Sequence, residues 1–318
     1  MSENETGRRF RDLAEQLIEE KRYDEAIELY EKLHDMNPHD DSIVMALAWA
    51  YRDGGRTADA ISALRRLFEK ELSRKTFTGF AFDELVRIFR SEENFEDLVE
   101  LCERAVAAQP DDVSLLVTLG DSCLKAGKSA RAIEVFERLT EMEPDAPSVY
   151  CALGDAYIAS GNFDRGDEAY EKAAELEPLD ASSFYFRMAN SYLRMEVFDY
   201  AERAVRNSIA LNPHSPLYFC ALGDTLIKQG RFDEGVSAYD KAINLDPHGA
   251  GVYCNRLGKA FAKDRHHEKA IAAFERAIAS DPKNPFYYLC LMESCAEENL
   301  DAKAREYYKQ AQDLKVFT

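Results

Sequence analysis

The sequence predicts an all-α chain, an α-solenoid built from nine tandem helix–turn–helix units, and three observations carry that prediction. The phrase Cys-Ala-Leu-Gly-Asp stands at 151–155 and again at 220–224, and related phrases centred on Gly120, Ala189 and Gly258 continue the same register. A proline follows these anchors 24 residues on, at Pro144, Pro178, Pro213, Pro247 and Pro282. Apolar residues recur at helical spacing, and no segment alternates as a strand does.

The anchors set the unit boundaries, since self-similarity at a fixed period is the mark of a repeat array. Ala14 leads to Pro38 and Val86 to Pro110, which extends the frame towards the N-terminus. Ala48 and Met292 sit at the anchor position of units that carry Leu72 and Val316 in place of proline. The units are 7–40, 41–78, 79–112, 113–146, 147–181, 182–215, 216–250, 251–284 and 285–318, one solenoid after a disordered tail at 1–6. Seven of the ten prolines close a unit, and Pro147, Pro216 and Pro285 open one. Proline inside a helix costs about 3 kcal/mol and is tolerated in the first turn, so the prolines mark helix ends and starts.

Each unit reads as two helices. In 216–250, Phe219, Leu222, Gly223 and Leu226 form the apolar stripe of the first, and Gly230 makes the turn. Phe232, Gly235, Tyr239 and Ala242 form the stripe of the second, which stops at Pro247. Small residues let the two backbones approach. The place of Gly235 is held elsewhere by Ala26, Ala60, Ala132, Gly166, Ala201, Ala270 and Ala304, and only Leu98 is large. Val86 and Leu98 therefore predict a wider helix pair in the third unit. The second unit is 38 residues long and lacks its proline, so 72–79 is expected to be a hinge or an extended second helix. Leu314, Val316 and Phe317 are expected to stay partly exposed at the end of the last unit.

Charge and cysteine usage narrow the function. The formal charge is −19, from 40 basic and 59 acidic residues, and a polyanion repels nucleic acid. Seven cysteines with no CxxC pair fit a reducing compartment. The N-terminal residues lack the apolar run of a signal peptide, and no stretch approaches the roughly 20 apolar residues of a membrane span. These features predict a soluble cytoplasmic protein that engages neither nucleic acid nor membrane.

The unit resembles the tetratricopeptide repeat. An aromatic residue comes fourth (Tyr150, Tyr185, Phe219), Leu-Gly stands at seven and eight (Leu153 and Gly154), and Tyr157 or Tyr192 at eleven. Small residues come twentieth, Tyr170, Tyr239 or Phe274 twenty-fourth, and proline thirty-second, over residues 7–318. The resemblance implies a right-handed superhelix whose first helices line a concave groove, with ligand contacts from positions 2, 5, 6, 9, 12 and 13. Those positions sum to about +1, so the acid lies elsewhere.

Two groups of groove residues stand out as candidate peptide-binding sites. Arg187, Arg194, Lys228, Arg256, Lys259 and Lys263 face only Asp224 among groove acids, with Asn190 and Asn255 beside them. This predicts capture of an acidic segment or a C-terminal carboxylate of a protein partner, although the order of Asn255 and Lys259 departs from the family's carboxylate clamp. The competing reading pairs these cations with neighbouring acids, each surface pair being worth about 0–1 kcal/mol. The second group surrounds Trp49, the only tryptophan, at groove position nine, with Met45, Arg52, Phe80, Arg87 and Arg90 nearby. Tryptophan and arginine are common interface anchors. Packing between the first two units is the alternative.

Motifs for chemistry do not survive inspection. Gly127, Lys128 and Ser129 mimic part of a phosphate loop, but Ser122 replaces the glycine it needs and no strand precedes it. Arg265, His266 and His267 stand where turn residues belong, with no second pair of metal ligands. Cys151 and Cys220 read as small packing residues at groove position five. Asp121, Asp155 and Asp224 would lie about 10 Å apart in stacked repeats, too far to share a proton, and are expected to pair with Lys125 and Lys228 or to face the groove. The nine units leave six residues over, so the chain is expected to be a non-enzymatic scaffold without cofactor or metal. The alternative is a structural protein that self-assembles end to end, forming homo-oligomers through its terminal repeats.

Overall fold

The computed structural model describes residues 3–74, 77 and 79–315. Among them the regular structure is helical, with one short 3-10 turn at Pro247–Gly249. The helices are α1 (Glu3–Glu19), α2 (Tyr23–Met36), α3 (Asp41–Asp53), α4 (Thr57–Ser73), α5 (Phe80–Ser91), α6 (Phe95–Ala108), α7 (Val113–Lys125), α8 (Ser129–Met142) and α9 (Pro147–Ala159). They continue as α10 (Phe163–Leu176), α11 (Ala181–Arg194), α12 (Phe198–Leu211), α13 (Pro216–Lys228), α14 (Phe232–Leu245), α15 (Ala250–Lys263), α16 (His267–Ser280), α17 (Pro285–Glu297) and α18 (Asp301–Lys315). The chain divides into two compact units, Met1–Leu139 and Thr140–Thr318.

Tight turns join the helices of each pair, and each turn contains one residue with positive φ. These are Lys21, Gly55, Glu93, Gly127, Gly161, Glu196, Gly230, Arg265 and Asn299. Each is the fifteenth residue of its repeat, because a left-handed residue there stops the first helix and redirects the chain within one step.

The core of a repeat is an aromatic ring closed over a small residue. Tyr170 and Tyr239 are fully buried, and burying such a ring contributes about 1.5–3 kcal/mol. Gly154 and Gly223 admit them: a Cβ at either glycine would lie 2.6 Å or 2.5 Å from a ring carbon. Gly166 and Gly235 likewise accept Ile158 and Ile227. Leu98 is buried where those small residues stand, and α5 and α6 pack less closely than α9 and α10 or α13 and α14.

Three local expectations are met to different degrees. Helix α1 begins at Glu3, so helix replaces most of the tail expected at 1–6; no proline or glycine interrupts residues 3–6. Helix α4 has 17 residues against 14 in α2, running to Ser73 because leucine replaces the closing proline. Phe77 then packs against Phe68 and Phe82 at 6.0 Å and 5.9 Å, while 75, 76 and 78 of the expected hinge lie outside the described residues. Leu314 is half-buried at the end of α18, and Val316 and Phe317 also lie outside the described residues.

Candidate protein-binding face

The first helices of Thr140–Thr318 carry one stripe each at i, i+4, i+7 and i+11, a single helix face. The stripe is Ser183, Arg187, Asn190 and Arg194 on α11. On α13 it is Leu217, Ala221, Asp224 and Lys228, and on α15 it is Val252, Arg256, Lys259 and Lys263. Phe286, Cys290, Glu293 and Glu297 form it on α17. Side chains cross from α9 to α11, from α13 to α15 and from α15 to α17. Arg187 on α11 reaches Asp155 on α9, Arg256 on α15 reaches Asp224 on α13, and Lys259 lies 4.4 Å over the Phe286 ring of α17.

Asp155 and Asp224 pair with an arginine of the next repeat, whereas Asp121 is exposed. Asp155 is buried and accepts from Tyr170 Oη at 2.6 Å, from Ser191 Oγ, and from Arg187 Nε and Nη2 at 2.8 Å and 2.7 Å. Asp224 accepts from Tyr239 Oη and from Arg256 Nε and Nη2 at 3.0 Å and 2.6 Å. Burial pushes the Asp224 carboxyl up from its usual range, and the Arg256 guanidinium pulls the other way. Lys228 binds Asp264, not Asp224. Cys151 and Cys220 are fully buried and pack; burial raises both thiols to about 12.

The basic group is thus half neutralised. Arg187, Lys228 and Arg256 have carboxylate partners, and Arg194 lies 3.8 Å from Asp155 while donating to Ser191 Oγ at 2.8 Å. Lys259 and Lys263 are exposed without an ion pair among the described residues. Asn190 is half-buried. Asn255 is buried, and its Oδ1 has no hydrogen-bond partner, a cost of about 1–3 kcal/mol for an isolated chain.

Charge alone does not describe the face, and a reading of charges misses its apolar edge. Leu217, Val252 and Phe286 occupy the first place of three successive stripes and are 46%, 60% and 47% exposed. The signal was present at position two of each repeat. Between α15 and α17 a cavity of about 360 Å³ is lined by Lys259, Ala262, Cys290, Glu293 and Glu297, so the basic character ends at α17.

In Met1–Leu139 the Trp49 group lies on α3 and α5. Trp49 is 46% exposed on α3, and Phe80 at the start of α5 is exposed too. Arg52 and Arg87 both reach the buried Glu84 carboxylate, at 3.4 Å and 2.9 Å, and Arg90 is exposed. Trp49 is therefore not packed away between the helices.

Sequence comparison decides the family. The family model of the cilia and flagella-associated protein 70 C-terminal domain, a tetratricopeptide domain, matches residues 94–316, and a tetratricopeptide-repeat model matches residues 17–73. The chain belongs to this tetratricopeptide-repeat family. A tetratricopeptide protein from Parabacteroides merdae superposes with a TM-score of 0.50 at 15% identity, covering 79% of this chain and 97% of that one. MamA from Desulfovibrio magneticus matches at 20% identity and a TM-score of 0.37, over 54% of this chain and 96% of its own. The Cut9–Hcn1 assembly of APC/C matches at 14% identity and 0.41, over 92% of this chain and 56% of that one. None of the curated proteins matches the sequence. The fold is an all-α tetratricopeptide solenoid, a scaffold for protein–protein interaction whose stacked repeats create extended binding surfaces.

Proposed function

We propose that this tetratricopeptide chain is a non-catalytic interaction scaffold that holds an acidic segment of a partner protein across the first helices α11, α13 and α15. The observation that carries the reading is the α15 stripe. Val252, Arg256, Lys259 and Lys263 stand in line on one helix face, and its two lysines have no intramolecular ion pair among the described residues. Leu217, Val252 and Phe286 offer apolar contact along one edge, and the lysines offer charge along the other. A segment with aliphatic or aromatic residues beside Asp or Glu fits both. The exposed Trp49 and Phe80, with Arg52, Arg87 and Arg90, offer a second contact face of aromatic and basic character. Seven buried free thiols suit the reducing cytoplasm.

Fluorescence anisotropy tests the reading. A labelled peptide alternating Glu with Leu or Phe is titrated with the protein and with Lys259→Glu/Lys263→Glu. Reversing two charges on the face should weaken binding at least about tenfold, since like-charge contact costs over a kcal/mol. Lys172→Glu, on the second helix α10, should leave binding unchanged. Equal affinity for all three proteins removes the site.

A further inference from the structure

The repeated pentapeptide is part of a larger duplication with a period of two repeats. Asp155, Tyr170 and Arg187 recur as Asp224, Tyr239 and Arg256, each 69 residues later. Both copies make the same contacts: the tyrosine hydroxyl donates to one carboxylate oxygen, and the next repeat's arginine donates Nε and Nη2 to the other. Between them, Ala221 occupies the place of the arginines, so the intervening repeat presents no guanidinium.

Each aspartate holds its arginine in one pose. Nε and Nη2 are committed to the aspartate, while each arginine side chain stays partly exposed and its Nη1 has no hydrogen bond among the described residues. A guanidinium so fixed has already lost its rotamer freedom, and binding a carboxylate through the free edge costs less ordering. A second cation stands seven residues after each arginine, Arg194 in the first copy and Lys263 in the second. Each copy therefore offers a fixed guanidinium and a nearby second cation, with Asn190 or Lys259 between them. Counting the clamping aspartates, the first copy retains one net positive charge and the second two.

We propose that these are two quasi-equivalent carboxylate-reading points and that the partner carries two acidic clusters, one for each. This rests on the acidic-segment reading above and adds its valency and spacing. α11 and α15 are separated by one intervening first helix, and helix packing distances place them about 20 Å apart. An extended chain rises about 3.3 Å per residue, so the cluster centres fall about six residues apart.

The probes are labelled peptides with one Glu-Glu-Glu cluster, with two clusters centred six residues apart, and with two fused clusters centred three residues apart. Anisotropy is measured at low salt with the full chain. The six-residue peptide should bind at least about tenfold more tightly than the single cluster, by the effective concentration of the second site. The fused peptide should show only the gain of its added charge, within about threefold. Arg187→Ala and Arg256→Ala should each return the six-residue peptide to the affinity of the single cluster. Arg187→Ala should change single-cluster binding by no more than about twofold, since the more highly charged second copy remains. Because Ala leaves a buried carboxylate short of a partner, the paired variants Asp155→Asn/Arg187→Gln and Asp224→Asn/Arg256→Gln repeat the test without stranding a charge. Equal binding of the single-cluster and six-residue peptides, or loss confined to one arginine, overturns the two-point proposal while leaving the acidic-segment reading intact. Failure of every acidic peptide to bind overturns both.

Discussion

Gly154 and Gly223 act through the atom they lack. A methyl group at either would meet the ring of Tyr170 or Tyr239, and each ring is pinned by its hydroxyl on an aspartate of the first helix. Neither ring can swing aside, so Gly154→Ala should cost about 1–3 kcal/mol of stability, measured as a lower thermal midpoint. An unchanged midpoint would mean the ring relaxes freely. The cysteines give a pH prediction. Burial pushes the thiols of Cys102, Cys151 and Cys220 to about 12 and that of Cys123 to about 11, against 9.0 when unfolded. A group whose folded pKa is raised contributes stability fully below its unfolded value and loses it as pH rises through the folded one. The midpoint should therefore hold near pH 8 and fall between about 9 and 12, and a thiol reagent near pH 8 should label the cysteines only after denaturation. At this scale the packing roles of Gly154, Tyr170 and Cys151 were legible, because small and large residues alternate in a fixed register. The aspartates were not. Position nine lies on the same helix as the groove residues, and the sequence does not say that a short side chain there turns towards the next repeat's arginine 32 residues away.

The helix pair is set by its turn. Nine left-handed residues join nine pairs, yet only Gly55, Gly127, Gly161 and Gly230 are glycine. Lys21, Glu93, Glu196, Arg265 and Asn299 hold φ between 53° and 62°, where a Cβ crowds the following carbonyl at about 1–2 kcal/mol per residue. Glu196→Gly should therefore raise stability by about 0.5–1 kcal/mol after glycine's own entropy is counted, and Gly230→Ala should lower it by a similar amount. Chemical denaturation of the two variants checks both signs, and a destabilised Glu196→Gly would show that this turn is held by contacts of the side chain. Second helices were readable because proline stops them at a fixed place. Helix α4 shows the converse, since Leu72 lets it run on to Ser73. The helical start at Glu3 was not readable, because an expectation of disorder rests on the repeat frame and that frame begins at residue 7.

Over the whole chain the charge is −19, yet the first-helix stripes of α11, α13 and α15 keep three positive charges after Asp155, Asp224 and Asp264 are counted. That residue of charge on an acidic molecule is what suits an acidic partner, and net repulsion elsewhere would confine the partner to the face. The sequence located this region through its basic residues. It overstated the free charge, because Asp155 of the preceding repeat and Asp264 of a turn reach in, and it passed over Leu217, Val252 and Phe286, because an apolar residue in a repeat is read first as core. The central claim is that binding happens on the first-helix face of Thr140–Thr318. Hydrogen–deuterium exchange of the full chain with and without the two-cluster acidic peptide tests it most directly. Exchange should slow in α11, α13 and α15 with α12, α14 and α16 unchanged; protection confined to those second helices, or none at saturating peptide, would rule the face out.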